Sequence, residues 1–252
     1  MKCLVFLLLT ISFSANALPE KILPKTLVLK PVGWYQMQAD AWSNEVKSNH
    51  TAEAWFNYYA ASCFAQTGQN NLNRIVELME KEAAQSYEYF LVKGWNEGYK
   101  AGAFTFVKKA YDLHPEKTEA LGFMQLFSEM NFDSSNRALF SEQLIRHAQV
   151  TPSLLSYSYN VLMSLEPSSV LITEGESTTT PLYILQDVMK MRNDVSVLSL
   201  DLLSNPSYLE SKLKSLGLQL NGPVEKSNLS SAICSLLPLQ NAGHKFYYAL
   251  KR

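Results

Sequence analysis

The stretch "SSVLITEGESTTTPLYILQDV", which begins at Ser168, gathers the residue types best suited to chemistry in this chain. A short apolar run ends at Thr173. Glu174 and Glu176 then flank Gly175, and four hydroxyl residues, Ser177, Thr178, Thr179 and Thr180, lead to Pro181. Three readings follow. Thr180 caps a helix whose first residue is Pro181, where no N–H is needed. Alternatively, the hydroxyls hold a polar ligand, because a loop leaving the carboxyl end of a parallel strand for a helix N-terminus is a common binding place. In the third reading Glu176 acts as a base or metal ligand beside Asp201, which follows the next strand. The candidate binding set is Thr173, Glu174, Gly175, Glu176, Ser177, Thr178, Thr179 and Asp201, with Gly175 expected at positive φ. Two acids this close count against phosphate.

No other constellation competes. His50, His114, His147 and His244 are scattered without metal-ligand spacing, and no P-loop, dinucleotide fingerprint or nucleophile elbow occurs. The expectation is therefore no catalytic residue, no metal and no cofactor.

The elements that must position the loop fall into two grammars. From Trp34 to about Val150 apolar residues recur at helical spacing, and breaks fall at Gly68, Gly94 to Gly98, His114-Pro115 and Asp133-Ser134. Trp34, Gln38, Trp42 and Val46 are read as one face of the first helix, and Trp55, Tyr58, Tyr59, Ser62 and Cys63 as one face of the second. Many short helices with brief turns imply antiparallel hairpins. The aromatic residues Trp34, Tyr35, Trp42, Trp55, Phe56, Tyr58 and Tyr59 read as core, or as a carbohydrate or peptide groove. After Thr151-Pro152 and one more helix, strands at 169–173, 195–200 and 245–250 alternate with helices at 181–192, 206–216 and 227–236. Such alternation implies a small parallel sheet with right-handed crossovers. The fold expected is mainly α with a small α/β part: a helical-hairpin, repeat-like domain over 35–150 and an α/β domain over 151–252, preceded by an extended lead-in over 18–34.

Residues 1–17 read as a signal peptide. Lys2 precedes an apolar core from Leu4 to Phe13, and Ala15-Asn16-Ala17 is an A-x-A cleavage site. The core is too short to span a bilayer, and no later stretch would span one after its removal. An exported chain, periplasmic or secreted, is expected. Export permits disulfides, yet Cys63 and Cys234 lie in different halves; two buried free thiols are expected, one bridge being the alternative. A net charge of −1 over 252 residues offers no footprint for nucleic acid.

Two resemblances add to this. Ala103, Val107, Ala110 and Pro115 resemble the second half of a tetratricopeptide repeat, in which small residues let paired helices approach and a proline closes the hairpin. Residues 152–252 resemble the soluble C-terminal segment of Bacteroidota protein O-mannosyltransferase-like membrane proteins. Thr173, Gly175, Thr179, Pro181, Leu182, Leu185, Gln186, Arg192, Asp194, Val195, Val197, Leu200 and Leu203 stand in that family's order, and "HKFYYALK" is similar to its closing strand. The family's paired aspartates are replaced here by Glu176 and Thr178, and its transferase chemistry belongs to a multi-spanning part, so mannosyl transfer is not implied. The function expected is an exported, non-catalytic interaction module with a protein partner in the cell envelope. Alternatives are a carbohydrate- or envelope-related enzyme or accessory factor using the acidic loop, and a polar-ligand-binding module.

Overall fold

A computed structural model describes residues 19–22, 29–221 and 229–249. The signal peptide and residues 23–28 of the lead-in lie outside these residues. The architecture is mainly α with a small parallel sheet, in agreement with the sequence reading. Eight helices come first: α1 (Val32–Asn49), α2 (Ala52–Phe64), α3 (Gln69–Ala83), α4 (Tyr87–Glu97), α5 (Ala101–Leu113), α6 (Leu121–Met130), α7 (Ser134–Arg146) and α8 (Pro152–Met163). Then follow β1 (Val170–Thr173), α9 (Glu176–Asp187), β2 (Ser196–Ser199), α10 (Leu200–Leu203), α11 (Pro206–Ser215), α12 (Leu229–Gln240) and β3 (Phe246–Ala249).

Local chemistry sets several helix starts. Thr51, Ser86, Asp133 and Thr151 each present a side-chain oxygen to a free N–H of the turn that follows. Pro31 is extended, with φ −57° and ψ 147°, so the lead-in ends where α1 begins, slightly earlier than expected. The lead-in is tied down: the Ile22 N–H donates to Asn57 Oδ1 at 2.7 Å, and Trp42 Nε1 donates to the Glu20 carbonyl at 3.0 Å.

The buried face of α1 is Tyr35, Ala39, Trp42 and Val46, one residue round from the face expected; Trp34 and Gln38 are half-buried. In α2, Trp55, Tyr59 and Ser62 are buried as expected, but Cys63 is exposed and Cys234 half-buried. Both thiols are free, as expected, but neither is buried. Cys63 faces out because α2 buries a wider arc on its other sides, including Ala54, Asn57, Ala60 and Ala61. Tyr35, Trp42, Trp55 and Tyr59 are core residues, and Tyr35 stacks on Phe64 with ring centroids 4.7 Å apart.

The helices α4 and α5 pack closely. Ala103, Val107 and Ala110 are fully buried, and a Cβ on Gly94 would lie 2.4 Å from Val107 Cγ2 and 3.0 Å from the Ala103 carbonyl. Small residues are thus what allow this approach.

The sheet runs β2-β1-β3, all parallel, with Thr173 opposite Ser199 on one side and Ala249 on the other. With this strand order, the right-handed rule for crossovers puts the connections β1 to β2 and β2 to β3 on opposite faces. α9 packs on the sheet and against α6, α7 and α8, so Thr179 to Gln186 are buried without a break. One cluster of buried side chains runs from Ile22 to Leu237, and the core is continuous across the expected boundary at 150.

Candidate functional site

The strand order reverses at β1. In parallel α/β sheets the crevice at the carboxyl ends beside such a reversal is the usual binding place. The Glu174-Gly175 turn leaves β1 there, and the Glu174 N–H donates to the Ala249 carbonyl at 3.3 Å.

The turn is shorter than the sequence suggested. Gly175, at φ 86° and ψ 149°, is the N-cap residue, and α9 starts at Glu176, not at Pro181. Glu176, Ser177, Thr178, Thr179 and Thr180 are therefore helical, and Thr180 caps nothing. Pro181 lies inside the helix because other contacts fix the start upstream. Asp201 Oδ2 accepts from the Gly175 N–H at 2.7 Å. The Thr179 hydroxyl donates to the Gly175 carbonyl at 3.0 Å, which leaves the Thr173 hydroxyl to donate to Thr179 at 2.8 Å. The positive φ expected of Gly175 is present, and the hydrogen bonds around it hold a sharp strand-to-helix turn.

This geometry divides the candidate residues. Glu174, Gly175, Glu176 and Asp201 share the carboxyl edge of the sheet. Thr173, Thr179 and Thr180 are buried in the interior, so the row of hydroxyls does not form one cradle. Ser177 is exposed and Thr178 half-buried. Burial pushes the Asp201 carboxyl above its usual range; the Gly175 N–H works against this, and the charge of Glu174 adds to it. Among the described residues no group of three or more His, Cys, Asp or Glu side chains is arranged to hold a metal ion.

The sequence reading missed Tyr99. It follows Gly98, at φ 69°, in the connection between α4 and α5, and stacks on Phe123 with centroids 4.8 Å apart. Its phenol is pushed up by burial and then by the charges of Glu176 and Asp201, so it stays protonated beside them. A half-buried phenol in the field of these carboxylates is a donor among acceptors. The "GYK" break after α4 was a turn signal; its nearness to Asp201 is a tertiary fact that no local pattern encodes.

Residues 185–195 also carry more than was read from them. Arg192 donates to the carbonyls of Leu162, Leu165 and Glu166 at 2.6, 3.0 and 3.0 Å, closing the end of α8. It also pairs with Asp194, whose Oδ2 accepts the Ser168 N–H at 3.0 Å. Gln186 Nε2 donates to the carbonyls of Arg192 and Val195 at 3.0 and 2.8 Å. Gln186, Arg192 and Asp194 thus form a clip that fixes the entry to β1 and β2.

Residues 154–216 match the family model for TMEM260-associated domain 2. That segment runs from α8 through α11 and contains the turn, the clip and Asp201. The match is consistent with a relation of this segment to TMEM260-like, O-mannosyltransferase-related proteins. No curated protein and no solved structure matches the chain. No helix among the described residues is long and apolar enough to cross a membrane.

Proposed function

We propose that the protein is an exported, non-catalytic interaction module of the cell envelope, and that α8 presents its contact surface to a protein partner. The observation that carries this is the composition and exposure of α8. Its twelve residues include no charge, and Tyr157, Tyr159 and Met163 are 61, 39 and 49 % exposed, while only Ser158 and Leu162 are buried. Uncharged aromatic and methionine side chains outside a core are enriched at interfaces. The family match also begins within this helix, at residue 154. In this proposal the hairpins of α1 to α7 are of tetratricopeptide type and act as the scaffold, and the segment shares its origin with the soluble part of the Bacteroidota O-mannosyltransferase-like proteins. The test is photo-crosslinking from position 157 in the native envelope. A discrete adduct, lost when Tyr159 and Met163 are replaced by serine, supports the proposal; no adduct, or one insensitive to those changes, refutes it. Export is tested by N-terminal sequencing of protein recovered outside the cytoplasm, with a start at Leu18 expected.

A second reading, a carbohydrate-binding or accessory role at the carboxyl edge, is favoured by Tyr99 standing beside Glu176 and Asp201. A neutral sugar supplies donors to carboxylates and an acceptor to the phenol, whereas a phosphate would be repelled.

A further inference from the structure

A cavity of about 360 Å³ opens beside β2, where Val195, Ser196 and Val197 form one wall. It lies against the first half of that strand, away from Asp201. The opposing walls come from α7 (Arg137), the end of α9 (Tyr183, Gln186, Asp187), the turn after it (Lys190) and α11 (Lys212). Residues from both halves of the chain are needed to build it.

The electrostatics of the cavity oppose those of the carboxyl edge. Arg137 donates to both oxygens of Asp187, at 2.9 and 2.7 Å, and pairs with Glu129; Lys212 donates to Glu129 at 2.6 Å. Those two cations and two anions balance. Lys190 is one positive charge in excess and has no ion-pair partner among the described residues. Lys212 keeps two further N–H donors beyond the bond to Glu129.

Two polar groups of the wall lack a well-formed partner. The Tyr183 side chain is 1 % exposed, lies under the Arg137 guanidinium at 4.5 Å, and its hydroxyl makes no good hydrogen bond although Tyr208 is near. The second is the backbone at Val197. The Ser196 N–H bonds to the Ser169 carbonyl of β1, and in a parallel ladder alternate residues point to alternate sides. The Val197 N–H and C=O therefore face the open edge of the sheet, along the cavity wall.

We infer that this cleft binds a small organic anion, with its carboxylate or phosphate held by Lys190 and Lys212 and its polar body against Ser196 and the Val197 backbone. The excess charge selects an anion. The volume suits a ligand of monosaccharide size. Arg137, held by two carboxylates, serves as a rigid floor.

The test uses calorimetric titration of the purified protein with glucose 6-phosphate, glucuronate and, as neutral control, glucose. One or both anions should bind saturably while glucose does not, and which of them binds assigns phosphate or carboxylate. Lys190→Ala, at an exposed residue whose side chain makes no hydrogen bond or ion pair among the described residues, should weaken binding by about tenfold. Ser196→Glu, which puts a carboxylate on the strand wall, should abolish it, and circular dichroism should show both variants folded. No saturable binding of either anion, binding that both variants leave unchanged, or equal binding of glucose that Ser196→Glu also abolishes would overturn the inference, whereas glucose binding insensitive to Ser196→Glu belongs to the carboxyl edge. Replacing Tyr159 and Met163 on α8 should not alter it, so its failure and that of partner binding are separable.

Discussion

Asp201 illustrates how one carboxylate can be required for structure and held in an unfavourable charge state. It caps Gly175 at 2.7 Å, yet burial and Glu174 raise its acid range. A group that binds protons more readily folded than unfolded stabilises the fold less as pH rises, from the unfolded carboxylate range near about 3.9 up through the raised folded value. Asp201→Asn keeps the acceptor and removes the charge, so its stability relative to the parent should improve between pH 4 and pH 7. Asp201→Ala leaves the Gly175 N–H unpaired and should cost about 1–2 kcal/mol at either pH. Urea titrations at the two pH values check both; a parallel pH profile for parent and Asn variant would refute the assignment. Asp194 has the opposite sign. Arg192 and the Ser168 N–H hold it down to about 2, so its contribution is present above the unfolded range and lost as pH falls from about 3.9 towards about 2. Arg192→Ala should weaken that acid dependence, leaving the part due to the Ser168 N–H, and cost about 2 kcal/mol, since three carbonyls at the end of α8 also lose their donor.

At the scale of elements, the α4–α5 pair tests whether small residues set the packing. A helical Gly→Ala change ordinarily stabilises by up to about 1 kcal/mol. At Gly94 the added Cβ meets Val107 and the Ala103 carbonyl, so Gly94→Ala should instead destabilise by about 1–3 kcal/mol, and Ala110→Leu by a similar amount. An unchanged or raised Tm in both would show that the pair yields easily. The small-residue pattern here was legible in the sequence because helix contact has a period. The parallel pairing of β1 with β2 was legible too, since a connecting helix demands a crossover. The start of α9 was not. Pro181 looks like a first-turn residue, but the start is fixed by Gly175 bonded to an acid 26 positions away. Cys63 was misplaced for a related reason: periodicity gives a helix an apolar side, but which arc is covered depends on its neighbours. The arrangement of candidate acids at one sheet edge followed from strand order; the inward turn of Thr179 and Thr180 followed from α9 being enclosed on both sides.

Over the whole molecule, the two grammars of the sequence meet along α9 and in an ionic network that local pattern cannot encode. Glu129 lies in α6, Arg137 in α7, Asp187 in α9 and Lys212 in α11, with Tyr208 also donating to Glu129 at 2.8 Å. Burial alone would raise the Glu129 carboxyl; Lys212 and Arg137 outweigh it and hold it below its usual range. Removing one member of such a set strands the others, so Glu129→Ala should cost about 3–5 kcal/mol. The larger consequence concerns cooperativity. α9 is covered by the sheet on one side and by α6, α7 and α8 on the other, and without residues before 151 its Tyr183 face and the Arg137 contact are open to water. A fragment of residues 151–252 should therefore bind apolar dyes and lack a cooperative urea transition. The intact chain provides the matching test, because Trp34, Trp42, Trp55 and Trp95 all lie before residue 150 and their fluorescence reports that part alone. If the continuous core makes one folding unit, the tryptophan transition and the loss of hydrogen-exchange protection at Val170 to Thr173 should coincide in urea. A sheet that keeps its protection after the tryptophan signal has unfolded would mean that the boundary at 150 divides two independent domains.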